Sequence, residues 1–152
     1  MTQQPTTIHF DAERLGDFEL AADVGNPYSP DGATRAVLAG TGEVVVTHRR
    51  LDLGKPGEGG QDGEQVGTHR LGPDATRTLV ARASTFVWGA PFPARPGIPD
   101  EPVITWTLSD RRGGQVTLKA WLRDVERDER MAPVLTTLRQ AVDAATDGRH
   151  YL

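Results

Sequence analysis

Two of the four histidines have the same local context, and imidazole is a side chain that binds metals and transfers protons near neutral pH. His48 and His69 each follow a threonine and precede an arginine. If residues 45–51 pair with residues 65–71 as strands, the two imidazoles become neighbours. Such a pair would bind a metal weakly, act as a pH switch or, with a nearby carboxylate, serve a small hydrolase or lyase. A structural zinc site normally has four ligands and no third one is evident, so we favour solvent-facing strand residues and predict no metal or cofactor.

The same two segments carry arginines that would form a small basic patch. Arg49 and Arg70 would lie near each other, with Arg50 and Lys55 beside them, and could bind a carboxylate or a phosphate. A polar strand face whose charges are paired with acidic side chains is the simpler interpretation. We therefore treat Arg49 and Arg70 as candidate binding residues only.

Other patterns typical of catalysis are incomplete. The glycine-rich stretch 54–63 does not have the order of a P-loop, because its lysine precedes most of its glycines. Ser29, Ser84 and Ser109 all lie outside a Gly-x-Ser-x-Gly motif. The carboxylates between residues 124 and 129 alternate with arginines, which is typical of a solvated, ion-paired link. The sequence therefore predicts no catalytic residue.

The strongest candidate for contact with a partner is the segment 88–102, which combines prolines with aromatic residues; we call it the Pro-aromatic segment. Proline holds a chain extended at low entropic cost, and Trp, Phe and Arg are enriched at binding hot spots. The candidate binding residues of this segment are Trp88, Phe92, Arg95 and Ile98. In the alternative interpretation, Phe92 and Ile98 pack back onto the core of the domain itself.

Trp121 is a further candidate binding residue. It alternates along a predicted strand with Val116, Leu118 and Ala120, which form an apolar row. We therefore expect Trp121 to face away from that row, either toward water or under another element.

Alternating apolar residues and turn residues predict the elements that position these side chains. They indicate a single α+β domain over residues 1–152, with a mainly antiparallel sheet of about six or seven strands and two helices packed on one face. The strand patterns fall at residues 7–10, 18–24, 34–39, 43–50, 65–71, 104–108 and 116–122. Residues 1–6 are predicted to be a flexible tail and residues 52–64 a flexible glycine-rich loop.

Apolar residues at helical spacing predict both helices. The first begins at Pro73 and ends at Gly89, and its buried stripe comprises Ala75, Leu79, Val80, Ala83, Phe86 and Val87. The second starts near Met131 and stops at Gly148. Residues 124–130 are predicted to be a charged link that leads into this second helix.

The composition of the 152-residue chain excludes several classes of function. It contains no cysteine, which rules out disulfides, thiolate metal sites and cysteine nucleophiles. Its longest apolar runs are far shorter than the roughly 20 residues of a membrane helix, so we predict no membrane partner. The net charge is −4 and the charges are mixed, which argues against nucleic acid. Arginine greatly outnumbers lysine and no secretory signal is evident, so we expect a bacterial, cytoplasmic protein.

The order of elements in the second half carries a resemblance to a known family. The sequence Leu71-Gly72-Pro73-Asp74 leads into a helix, followed by Phe86, Trp88, Asp100, the hairpin 104–122 and a helix headed by Pro133. In this order the second half resembles the emfourin-type small bacterial protease inhibitors and related uncharacterised bacterial domains. The region 27–63 departs from that family. The resemblance implies a non-enzymatic binding module, and no inhibitory residue is carried over.

These observations favour an intracellular bacterial protein-binding or regulatory domain without catalytic activity, whose partner is another protein. Two alternatives remain open. One is a small hydrolase or lyase that uses the pair His48 and His69. The other is a structural subunit of a larger assembly.

Overall fold

A computed structural model describes residues 12–25, 32–49, 64–84, 102–111 and 114–148. The predictions for the tail 1–6 and the strand 7–10 lie outside these ranges. So do those for the glycine-rich loop 52–64 and the Pro-aromatic segment 88–102, apart from the last residue of each. The candidate residues Trp88, Phe92, Arg95 and Ile98 are among those outside.

Within the described residues the sheet has six strands, and every neighbouring pair is antiparallel. The strands are β1 (Phe18–Gly25), β2 (Ala33–Ala39), β3 (Glu43–Arg49), β4 (Glu64–Arg70), β5 (Val103–Asp110) and β6 (Gly114–Trp121). Their order across the sheet is β4-β3-β2-β1-β5-β6. The chain therefore runs through a four-strand meander to one edge and then crosses to the other side of β1. The prediction of a mainly antiparallel sheet in an α+β domain is confirmed.

In the described part of the chain, three α-helices accompany the sheet, where two were expected. They are α1 (Pro73–Ser84), α2 (Leu122–Arg127) and α3 (Ala132–Ala145), and a short 3-10 helix, Ala12–Asp17, precedes β1. Helix α3 packs over β3 and β4, whereas α1 contacts β1 and α3. Helix α2 begins before the predicted charged link 124–130 and includes its residues 124–127. That prediction was wrong because Val125 is fully buried, so one turn of helix gains an apolar anchor despite its charged neighbours.

The core lies between the helices and one face of the sheet. Direct partners in antiparallel strands project to the same face, so alternation along each strand places the apolar residues on one side. Leu20, Leu38, Val46 and Trp106 are each fully buried on this face. The hairpin β2–β3 turns at Gly40-Thr41-Gly42, where Gly42 has a positive φ of 101° that suits glycine.

Among the described residues, the buried stripe of α1 differs from its prediction at one position; the predicted members Phe86 and Val87, like the predicted helix end at Gly89, lie outside the described ranges. Leu79, Val80 and Ala83 are buried as expected, but Ala75 is exposed and Thr76 is buried in its place. The Thr76 hydroxyl donates a hydrogen bond of 2.9 Å to the carbonyl oxygen of Gly72. Because that bond satisfies its polar group, threonine can occupy the apolar face.

An aspartate caps the turn that leads into α3. Asp128 Oδ1 accepts hydrogen bonds from the backbone amides of Arg130, at 2.9 Å, and Met131, at 3.1 Å. Burial raises the pKa of this carboxyl, but the hydrogen bonds from the Arg130 side chain and from the two amides lower it by more. The pKa therefore lies below its ordinary value of 3.8.

Replacing Asp128 with alanine is expected to lower the free energy of unfolding by about 1 kcal/mol at neutral pH, because two backbone donors lose their acceptor. The contribution has a defined pH window. A lowered pKa in the folded state means that the stabilisation is present above pH 3.8 and disappears as the pH falls through the folded-state pKa. Urea unfolding of both proteins at neutral pH and at pH 2–3 measures the difference, which should shrink in acid. A difference that stays constant over this range would contradict the capping role.

Candidate functional site

The two candidate histidines are not neighbours. Strands β3 and β4 do pair, but His48 lies opposite Glu64 and His69 lies opposite Val44. The two histidines therefore lie at positions 44 and 48 of the β3 register. These positions are four residue steps apart, which corresponds to about 13 Å along the strand. His48 Nδ1 shares a hydrogen bond of 3.0 Å with the hydroxyl of Thr34 on β2. The prediction that these two segments pair is confirmed. The register of the pairing, which sets the distance between the imidazoles, could not be predicted from the sequence.

The two candidate arginines are also far apart. Arg49 pairs with Ala33 at one end of β3, and Arg70 pairs with Glu43 at the other end. Positions 43 and 49 of β3 are six residue steps apart, so the backbones of Arg70 and Arg49 are separated by about 20 Å along the strand. The exposed Arg70 side chain donates a hydrogen bond of 3.3 Å to the carbonyl oxygen of Thr41. The expectation that Arg49 and Arg70 form one basic patch is therefore wrong.

A cleft of about 240 Å³ lies between α1 and α3. Its lining residues are Asp74, Ala75, Thr78, Leu79, Arg82, Pro133, Val134 and Thr137. The lining contains no imidazole, so the cleft does not join the histidines to a carboxylate. In the ranges that the structure describes, no group of three or more His, Asp or Glu side chains is arranged to hold a metal ion.

The two edge strands, β4 and β6, differ in how well their outer backbone groups are protected against pairing with another strand. Strand β4 contains a β-bulge opposite Val46 and Thr47, which interrupts its ladder with β3. At Gly67 the end of α3 lies so close that an added Cβ would overlap the carbonyl oxygen of Ala145. A bulge and a covering helix are both devices that protect an edge against further strand pairing.

Strand β6 has a regular ladder instead. All eight of its residues pair with β5 without a register shift. The amide of Leu122 donates to the carbonyl oxygen of Pro102 at 2.9 Å, so even-numbered residues point their backbone groups toward β5. The backbone groups of Gln115, Thr117 and Lys119 therefore point outward. We call these three residues the β6 edge.

The β6 edge is accessible. The side chains of Gln115, Thr117 and Lys119 are all exposed. In the part of the chain that the structure describes, no strand follows β6 in the sheet order. An exposed, regular edge strand presents a row of backbone donors and acceptors that can pair with another extended chain.

Trp121 lies at the end of β6 and pairs with Val103. It belongs to the face opposite the buried row of Val116, Leu118 and Ala120, as its alternation predicted. Its side chain is half-buried. Trp121 thus adds a large apolar surface next to the β6 edge.

The sheet face that carries Trp121 has an uncharged centre. One row of direct cross-strand partners spans all six strands: Thr117, Thr107, Ala21, Val37, Val45 and Thr68. A charged pair lies in the adjacent row, where Arg35 Nη1 donates to Asp23 Oδ2 at 2.6 Å. Burial raises the pKa of Asp23, and the neighbouring Arg35 opposes that shift only in part.

No protein-family model matches the sequence, and no curated protein matches it. Among the described helices, none is both long and apolar enough to cross a membrane.

Sequence reasoning missed the residues of the β6 edge. Their signal was present in the hairpin 103–121, whose second strand is followed by a helical turn and not by another strand. What the sequence could not supply was the order of the strands, which leaves β6 at the margin of the sheet.

Proposed function

We propose that the chain is a protein-binding or regulatory domain without catalytic activity, which takes an extended segment of a partner protein onto the β6 edge. The regular, unprotected ladder of β6 carries this proposal. Main-chain hydrogen bonds supply affinity in such strand addition, and alternate side chains supply specificity. The three outward-pointing residues offer about six backbone hydrogen-bonding groups to an incoming strand.

The separation of the imidazoles supports a binding role over the hydrolase or lyase alternative. A general base must lie within hydrogen-bond reach of the group that it serves, or one water away from it. His48 and His69 lie about 13 Å apart along the strands, so they do not form one site.

Side chains next to the edge would provide the selectivity of the proposed interface. Trp121 lies at the end of β6, next to the position that a partner strand would occupy. Trp88, Phe92, Arg95 and Ile98 lie outside the described residues and stay candidate binding residues on the basis of their residue types alone. The resemblance of the second half to emfourin-type inhibitors supports a non-enzymatic binding module, and an inhibitor is one form that such a module takes.

The proposed partner is a protein of the bacterial cytoplasm. The net charge of −4 disfavours a polyanionic nucleic acid, and the absence of cysteine fits a reducing compartment. The strong preference for arginine over lysine supports the bacterial source.

Replacing Thr117 with proline is expected to reduce partner capture by about tenfold or more. The substitution removes an outward N–H and places a ring on the edge, whereas the β5–β6 ladder keeps its hydrogen bonds. Affinity capture from a cell lysate, with each variant as bait and mass spectrometry as readout, measures the loss. Trp88→Ala and Phe92→Ala baits test the Pro-aromatic segment in the same assay.

Thr117→Ala is the matched control, because it shortens the same side chain but keeps the backbone amide. It should capture the same protein as the unmodified chain, and circular dichroism should show that all baits are folded. Recovery of the same protein by the Thr117→Pro bait, or failure of the unmodified bait to recover any specific protein, would count against strand addition.

A further inference from the structure

We propose that a second copy of this chain docks on the β6 edge, antiparallel to it, with a two-fold axis that passes beside Thr117. This inference rests on the proposed function, since it uses the same edge and names the strand that fits it. The resulting dimer has one continuous sheet of twelve strands, because each copy contributes six.

The outward-pointing backbone groups determine which registers are allowed. In an antiparallel ladder, residues that exchange hydrogen bonds must both point toward the partner strand. On β6 these are Gln115, Thr117 and Lys119. With the axis beside Thr117, this residue pairs with its own copy, and Gln115 of each chain pairs with Lys119 of the other. Three such pairs exchange roughly six hydrogen bonds.

Charge favours this register over one with the axis at Lys119. Lys119 is the single charged side chain of β6. An axis beside Lys119 would place two ammonium groups directly opposite each other, and like charges in that position destabilise a sheet. With the axis beside Thr117, each ammonium group lies opposite a neutral amide, and the two Thr117 hydroxyls lie opposite each other, where such pairs stabilise a sheet.

The buried apolar row of β6 is slightly more exposed than that of its neighbour β5. Val116 is 7 % exposed, Leu118 3 % and Ala120 9 %, whereas Ile104, Trp106 and Leu108 on the neighbouring strand β5 are at 0 %. In the proposed register, Val116 of each copy lies opposite Leu118 of the other. Antiparallel pairing therefore extends the buried row across the axis.

The contrast between the two edges explains why the second copy docks on β6 and not on β4. The bulge in β4 and the approach of α3 at Gly67 interrupt that edge, as described above. Self-pairing through β6 also makes the edge unavailable to any other strand. Protein concentration then regulates how much of the chain can bind a partner.

The absence of cysteine allows a direct test by disulfide cross-linking. In the proposed dimer two Thr117→Cys residues face each other at a Cα separation of about 5.5 Å, which lies within the range that a disulfide spans. Thr68→Cys on β4 is the matched control, because Thr68 is an exposed threonine on the other edge strand. Leu118→Cys tests the adjacent register, whose axis passes beside Leu118.

The expected result is that mild oxidation converts Thr117→Cys to a covalent dimer in at least about tenfold greater yield than Thr68→Cys or Leu118→Cys. Light scattering of the unmodified chain should show a mass that rises from monomer to dimer with concentration, and Thr117→Pro should remain monomeric. A yield for Thr117→Cys no higher than that of either other variant, or a monomeric mass at every concentration, would overturn the proposal. If the monomeric chain still captured a partner that Thr117→Pro loses, self-pairing alone would fail and the proposed function would stand.

Discussion

Replacing Gly67 with alanine is expected to lower the free energy of unfolding by about 3 kcal/mol. The added Cβ would overlap the carbonyl oxygen of Ala145, a backbone atom that a side-chain rotation cannot move away. Helix α3 must then shift from β4, the strand against which it packs most extensively. Urea denaturation followed by circular dichroism measures the loss through the transition midpoint.

Gly72→Ala is the matched control for Gly67→Ala. Nothing lies within 4 Å of the position that its Cβ would occupy, and Gly72 is not among the glycines with positive φ. Its effect should stay within about 0.5 kcal/mol, as for a surface substitution. If both variants unfolded at the same urea concentration, the close approach of α3 to β4 would be wrong.

Replacing Trp106 with alanine is expected to cost about 4 kcal/mol. Trp106 is the largest fully buried side chain, and its direct partners on either side are Ala22 and Leu118. Removal of the indole leaves a cavity that the rigid sheet can fill only in part. Chemical denaturation measures this cost, and the slope of the transition should stay unchanged if the fold is retained.

Trp106→Phe separates the volume of the indole from its polar atom. Among the described residues, no hydrogen-bond partner lies within reach of the buried Nε1 of Trp106. Burial of an unpaired donor costs about 1–3 kcal/mol, so phenylalanine recovers part of what it loses in packing. The expected cost is therefore less than half that of alanine. Equal costs for the two variants would mean that the Nε1 group makes a stabilising contact.

The hairpins and long helices could be predicted from the sequence because their signals are local. Ile104, Trp106 and Leu108 alternate with polar residues, and all three are fully buried on one face. The end of α3 has a local signal as well: the helix ends at Ala145, three residues before the predicted stop at Gly148, which has a φ of 81° and whose amide donates to the backbone carbonyl oxygen of Asp143. Helix α2 was missed because six residues are too few to show a helical period among so many charges.

The candidate site could not be predicted because it depends on register and strand order. Sequence places His48 and His69 in paired strands, but a β-bulge and the lengths of the strands determine which residues lie opposite each other. The β6 edge likewise exists only because β5 pairs with β1, far away in sequence. Neither the register of β3 with β4 nor the pairing of β5 with β1 can be recognised from the residue types of β6.

The pairing of β1 with β5 affects the order in which the strands of the domain come together during folding. Strands β1 to β4 follow one another and close through short local contacts, whereas Leu20 must find Leu108 from a distant part of the chain. Closing that long loop has a large entropic cost before any new contact offsets it. We therefore expect the β5–β6 hairpin to join last, and until it does, the flank of β1 is as open to a foreign strand as β6 is in the finished protein.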